Sequence, residues 1–163
     1  MINSSVFKTV ALVMLVSIAG VCQADSPELV VGKQLSAQEL KHHADAPTVA
    51  LEMRSFKVLS TGTRPKTKGV SSSAVTQVIN ENGVVGESRN NVVVSQVSVD
   101  RVKQAVAGLS PTPVSAQYYD HMSISTLYFA SFQAAVSART QLKKVLPQAR
   151  VDVPIRYAKS VVR

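Results

Sequence analysis

Residues 91–163 read NVVVSQVSVDRVKQAVAGLSPTPVSAQYYDHMSISTLYFASFQAAVSARTQLKKVLPQARVDVPIRYAKSVVR. Their order of patterns decides the fold. The β-branched run 91–96 predicts a strand. Ser98 stands where an N-cap belongs, and Val99, Val102, Val106 and Leu109 recur at helical spacing, with Asp100 in the first turn and Gly108 available as a stop. Pro111 and Pro113 block continuation. Residues 114–119 and 123–130 then predict two strands joined through Asp120, His121 and Met122. Ser131 caps a second helix, whose apolar stripe is Phe132, Ala135, Val136, Leu142, Val145 and Leu146; Lys143 and Lys144 sit in its last turn, and Pro147 closes it. In 149–157, Val151, Val153, Ile155 and Tyr157 alternate with Arg150, Asp152, Pro154 and Arg156, the pattern of a half-buried strand. Pro154 cannot donate to a ladder, so this strand belongs at a sheet edge.

The order is therefore βαββαβ. It predicts an α+β fold of the ferredoxin-like kind, an antiparallel four-stranded sheet with two helices on one face, preceded by a β-rich N-terminal extension. A chain of 163 residues with 45% hydrophobic and 17% charged residues carries enough apolar surface for one compact domain and is not a disordered composition. Trp is absent, so the larger core pieces are expected to be Tyr118, Tyr119, Tyr128, Phe129, Phe132 and Tyr157.

Upstream, residues 1–24 have the form of a signal peptide. Lys8 precedes an apolar run over 9–21, and small residues lead to a cleavage site after Ala24. The run is short for a membrane span and no second one follows it, so the expected product is exported, without stable membrane insertion, to the periplasm or beyond it with a partner. A lipoprotein signal with Cys22 lipidated competes with this reading, although the bulky Val21 beside the cysteine suits it poorly. Cys22 is the only cysteine, so the processed chain would have neither disulfide nor thiolate chemistry. Loss of Lys8 lowers the formal net charge from +8 to +7. Such a surface favours acidic partners or serves solubility. The compartment argues against nucleic acid, and the first strand of the motif lacks the aromatics of RNA-binding sheets of this order.

Residues 25–47 form an arm with a short helix near 36–43, where Ser36 and Glu39 have capping-box spacing. Residues 48–90 form the β-rich extension. The segment 48–60 predicts a strand with Val49, Leu51 and Met53 on one face and Glu52 and Arg54 on the other; 61–73 reads as a flexible basic loop. Strands over 74–79 and 84–87 flank a turn ending Asn82-Gly83.

Chemistry-bearing motifs are scarce. His42 and His43 adjoin Asp45, but neighbours on a helix point about 100° apart and share a metal poorly. His121 beside Asp120 lacks a nucleophile. No serine has Gly-x-Ser-x-Gly surroundings, no glycine-rich phosphate loop occurs, and no carboxylate pair stands in a motif. The sequence makes no positive case for an enzyme, a cofactor or a metal.

An exported, cysteine-free βαββαβ domain ending in an apolar strand and a short basic tail resembles the prodomains of subtilisin-like serine proteases. With no protease domain after Arg163, it resembles more closely the separately encoded, prodomain-like external chaperones of secreted kexin-like proteases. The resemblance covers residues 91–163. It implies a chaperone that assists folding of its protease and transiently inhibits it in a 1:1 complex, the sheet packing on the enzyme. The tail Lys159, Ser160, Val161, Val162 and Arg163 would lie in the substrate cleft, with Arg163 in an acidic pocket, beside the edge strand Val153, Pro154, Ile155, Arg156 and Tyr157. The alternative is an exported basic module that holds an acidic polymer or envelope component.

Overall fold

Short alternating segments, several of them followed within two residues by Pro or a left-handed residue, make strands rather than long helices. The computed structural model describes residues 29–63 and 74–158. In chain order its elements are α1 (Ala37–His42), β1 (Thr48–Leu51), β2 (Arg54–Thr63), β3 (Ala74–Ile79), β4 (Val85–Ser88), β5 (Asn91–Ser95), α2 (Val99–Ala107), β6 (Ser115–Tyr119), a 3-10 turn (Asp120–Met122), β7 (Ile124–Tyr128), α3 (Phe132–Val145), β8 (Arg150–Asp152) and β9 (Ile155–Arg156). The protein is a mixed α+β structure with two antiparallel sheets. One has strand order β6-β7-β5-β8, the other β1-β2-β3-β4-β9.

In the four-stranded sheet, register fixes which residues look inward. Val92 pairs with Leu127, Val94 with Ser125 and Val151, and Leu127 with Ala116. These positions share one face because opposed residues in an antiparallel pair point the same way. Val92, Val94, Leu127 and Val151 join Val102 of α2 and Ala135 and Leu142 of α3 in one core. The α3 stripe buries Phe132, Ala135, Val136, Ala138 and Leu142, while Ser131 accepts a cap bond from the Ala134 amide. Val145, expected in the stripe, is exposed, and Leu146 takes the last core position. Ser98 precedes α2 but its side chain makes no cap bond.

The five-stranded sheet shares that core through Val49, Phe56 and Val78. Phe56, outside the stretch expected to supply the aromatics, meets Phe132 edge to face at 6.0 Å. Burying each ring contributes about 3 kcal/mol. On the opposite face the arm covers Ile79 of β3 and Val85 of β4. Leu35, Ile79 and Val85 form a second buried cluster against which Leu29, Leu40 and Leu59 pack. Residues 32–35 pair antiparallel beside the start of β4: the amide of Gly32 donates to the Val85 carbonyl and that of Leu35 to the Gly83 carbonyl. Gly32 has φ +89°, and a Cβ there would collide with the Tyr157 carbonyl, so glycine alone suits the crossing. The capping box of α1 is formed, with Glu39 accepting from the Ser36 amide and Ser36 from the Glu39 amide.

Two expected strands are broken. The segment 48–60 folds back at Glu52-Met53, placing Leu51 opposite Arg54. Glu52 takes φ +58° there, a costly conformation for a side chain that is neither Gly nor Asn. Its carboxylate is engaged from α3 by Arg139 and Lys143. The guanidinium of Arg139, 8% exposed, also donates from Nε to the Val151 carbonyl at 3.0 Å. This side chain links α3, β8 and the β1–β2 turn. The expected strand 149–157 divides at Val153-Pro154. β8 stays at an edge of the four-stranded sheet, whereas β9 pairs with Glu87 and Ser88 at an edge of the other. Without an N–H, Pro154 ends one ladder and lets the chain cross to the next. Of the expected loop 61–73, Thr61, Gly62 and Thr63 belong to β2; 64–73 lie outside the described residues, as do the leader and residues 25–28.

Candidate interaction surface

The four-stranded sheet has a second face. Val93 of β5 stands opposite Thr126 and Asp152, and Thr126 opposite Gln117. The row Gln117, Thr126, Val93, Asp152 therefore crosses the sheet on the side away from α2 and α3. Tyr119 and Ile124 form part of a parallel row, and Tyr128 lies between Asn91 and Ser115. Neither apolar core includes Val93 or Ile124, although both are half-buried within the sheet. Among the described residues no element packs over this face.

Its chemistry is aromatic and polar, with little net charge. The hydroxyls of Tyr119 and Tyr128 both donate to Gln117 Oε1, at 3.0 and 3.4 Å. These bonds hold two rings in fixed positions on the rigid sheet. The charged pair at the β8 edge is internally matched, Arg150 Nε donating to Asp152 Oδ2 at 2.7 Å. Rigid tyrosines with an amide between them, bordering β-branched aliphatics, are the composition of protein-binding surfaces, where large amphipathic rings supply contact area at low entropic cost.

At the Asn91 end the face runs into a groove of about 400 Å³ lined by Glu87, Arg89, Asn91, Pro154 and Arg156. It lies where the chain passes from one sheet to the other, at Arg89-Asn90 and again at Val153-Pro154. The residues expected beside the interface consequently divide by role. Val153 is buried in the shared core; Ile155 and Tyr157 pack against that core, half-buried; Pro154 is exposed in the groove, and half-buried Arg156 lines it. Lys159, Ser160, Val161, Val162 and Arg163 lie outside the described residues.

Tyr119 and Tyr128 were expected in the core and instead belong to the open face, Tyr119 being 37% exposed. The signal was the parity of YYDHMSISTLYF: Tyr118 and Leu127 share one side of the hairpin, Tyr119 and Tyr128 the other. His42, Asp45, Asp120 and His121 are exposed, and among the described residues no three of His, Cys, Asp and Glu gather as metal ligands. No helix of the described residues is long and apolar enough to cross a membrane.

Compared with known proteins, the chain matches no family model, no curated protein and no solved structure.

Proposed function

We propose that this protein is an exported chaperone and transient inhibitor of a subtilisin/kexin-like serine protease, binding it 1:1 through the open face of the four-stranded sheet. The observation that carries this reading is the uncovered row Gln117, Thr126, Val93 with its flanking Tyr119, Tyr128 and Ile124. A sheet with helices on one side and a rigid, weakly charged face on the other has a ready surface for a partner. The order β6-β7-β5-β8, with α2 and α3 together on the far side, supports a ferredoxin-like unit: within the motif the strands run second, third, first, fourth.

In this reading the tail 159–163 extends from the protein into the protease cleft as an added strand, and Arg163 makes a charge-assisted contact with an acidic pocket. Catalysis has no part in the function. The reading as an acidic-polymer module gains less support, because a polymer site needs clustered cations and the Arg150 on this face is matched by Asp152.

The test is co-expression with a subtilisin/kexin-like serine protease secreted by the same cells. Active protease is expected with the chain and little without it, and deletion of Ser160 to Arg163 is expected to weaken inhibition sharply while leaving the domain folded. No rescue and no stable complex would refute the proposal. Binding that collapses with modest salt would favour the polymer reading instead.

A further inference from the structure

The two sheets end in four terminal strands, and three of these are ill suited to pairing. β9 has two residues and follows Pro154; β8 has three, two of them the charged Arg150 and Asp152; β1 is short, preceded by Pro47 and closed by the anchored Glu52 turn. Short length, proline and charge are the devices that keep sheet edges from joining. β6 is flanked by Pro113 and Asp120 but has none of them within it. Its five residues, SAQYY, carry no charge and no proline, pair with β7 in unbroken register, and have no strand on their other side among the described residues. Three of the exposed large apolar side chains, Val114, Tyr119 and Met122, lie in or beside it.

We propose that β6 is a self-association edge, at which a second copy of this chain adds its own β6 antiparallel. An antiparallel strand about a two-fold axis repeats its own pattern of donors and acceptors, so each copy satisfies the other. The chain carries a formal net charge of +8; copies approach with least repulsion where the edge is neutral. A two-fold that sets the strands antiparallel stands perpendicular to the sheet. The product is one eight-stranded sheet with all four packed helices on one side and both open faces on the other. Gln117 lies on the axis and faces itself, and Tyr119 faces Ser115 of the second copy.

Sedimentation velocity on the full chain tests this without any protease, so its outcome is separate from that of the proposed function. The sedimentation coefficient is expected to rise towards a dimer over a roughly hundredfold range of concentration. Gln117→Lys, which sets like charges against each other on the axis, is expected to weaken the dimer at least about tenfold, while Ser137→Lys on exposed α3 leaves it unchanged. In a Cys22→Ser background, oxidation of Gln117→Cys is expected to cross-link two chains, and Ser137→Cys is not. A chain that sediments as a monomer throughout, equal association by Gln117→Lys, or no excess cross-linking at position 117 would overturn the proposal.

Discussion

The two sheets differ in what covers them. The five-stranded sheet is covered on both sides at β3 and β4, by the shared core and by the arm, while Thr48, Ala50 and Ser55 at its β1–β2 end are exposed; it is assembled from distant parts of the chain: β1 to β4, the bridge of Gln34 to Val84, and β9 from beyond residue 150. The four-stranded sheet comes from one continuous stretch and has helices on one side only. A chain of this size that uses its N-terminal arm to close one sheet leaves the other with a face outside both of its cores. The contrast gives the arm a structural part and is the ground for proposing the four-stranded sheet as the working surface.

The sharpest way to break the contrast is to ask whether the sheets are one folding unit. Phe132→Ala removes the ring that meets Phe56 across the core. It is expected to cost about 3–5 kcal/mol and to move urea transitions of both sheets together; two separate transitions would make the sheets independent. Leu35→Ala, at a position 5% exposed under the arm, is expected to cost about 2–3 kcal/mol. Hydrogen exchange in that variant should accelerate first in β3 and β4, with β5 and β7 still protected. Equal loss of protection in all four strands would show that the arm's docking is not local. Gly32→Ala, which meets the Tyr157 carbonyl and requires a positive φ, is expected to cost about 1–2 kcal/mol and to release the arm and β9 together. Thermal unfolding and exchange at Val85 read it.

Smaller still is the acid response of the two anchors. The Lys143 ammonium, then the Arg139 guanidinium, hold the Glu52 carboxyl below the usual carboxylate range. The Lys33 ammonium, with the Ser36 amide, brings Glu39 from 4.5 to about 2. A depressed folded-state pKa contributes stability that is complete above the unfolded value and is lost as pH falls towards the folded one. Stability is therefore expected to decline below about pH 4.5, and Glu52→Gln and Glu39→Gln should each flatten that decline in an acid titration followed by circular dichroism. An unchanged slope would mean the ion pairs add nothing.

Much of this architecture is legible in the residues. Alternation and capping residues identify β5 to β8, α2 and α3, and the Ser36/Glu39 spacing identifies α1, because these features are local. What escapes is nonlocal. The Glu52-Met53 turn carries no Asn or Gly; it depends on Arg139 and Lys143, 87 and 91 positions later. Met53, alternating like a core residue, is 98% exposed at its tip. Pro154 announces an edge, yet the transfer of β9 to another sheet depends on β4 having an open side. The open face was readable only in part. Parity separates Tyr119 from Tyr118, but only the pairing of β5 with β7 and β8 shows that Val93, Thr126 and Gln117 form one row.

The central claim is that this row docks the protease, and Thr126→Lys at its centre tests it most directly. Thr126 is half-buried in β7, and the change should cost no more than about 1 kcal/mol of stability. Titrating the protease with wild-type chain is expected to abolish its activity at one equivalent, and with a folded Thr126→Lys chain to leave most activity at the same ratio. Inhibition by Thr126→Lys equal to that by the wild type, with its fold intact, would contradict the account.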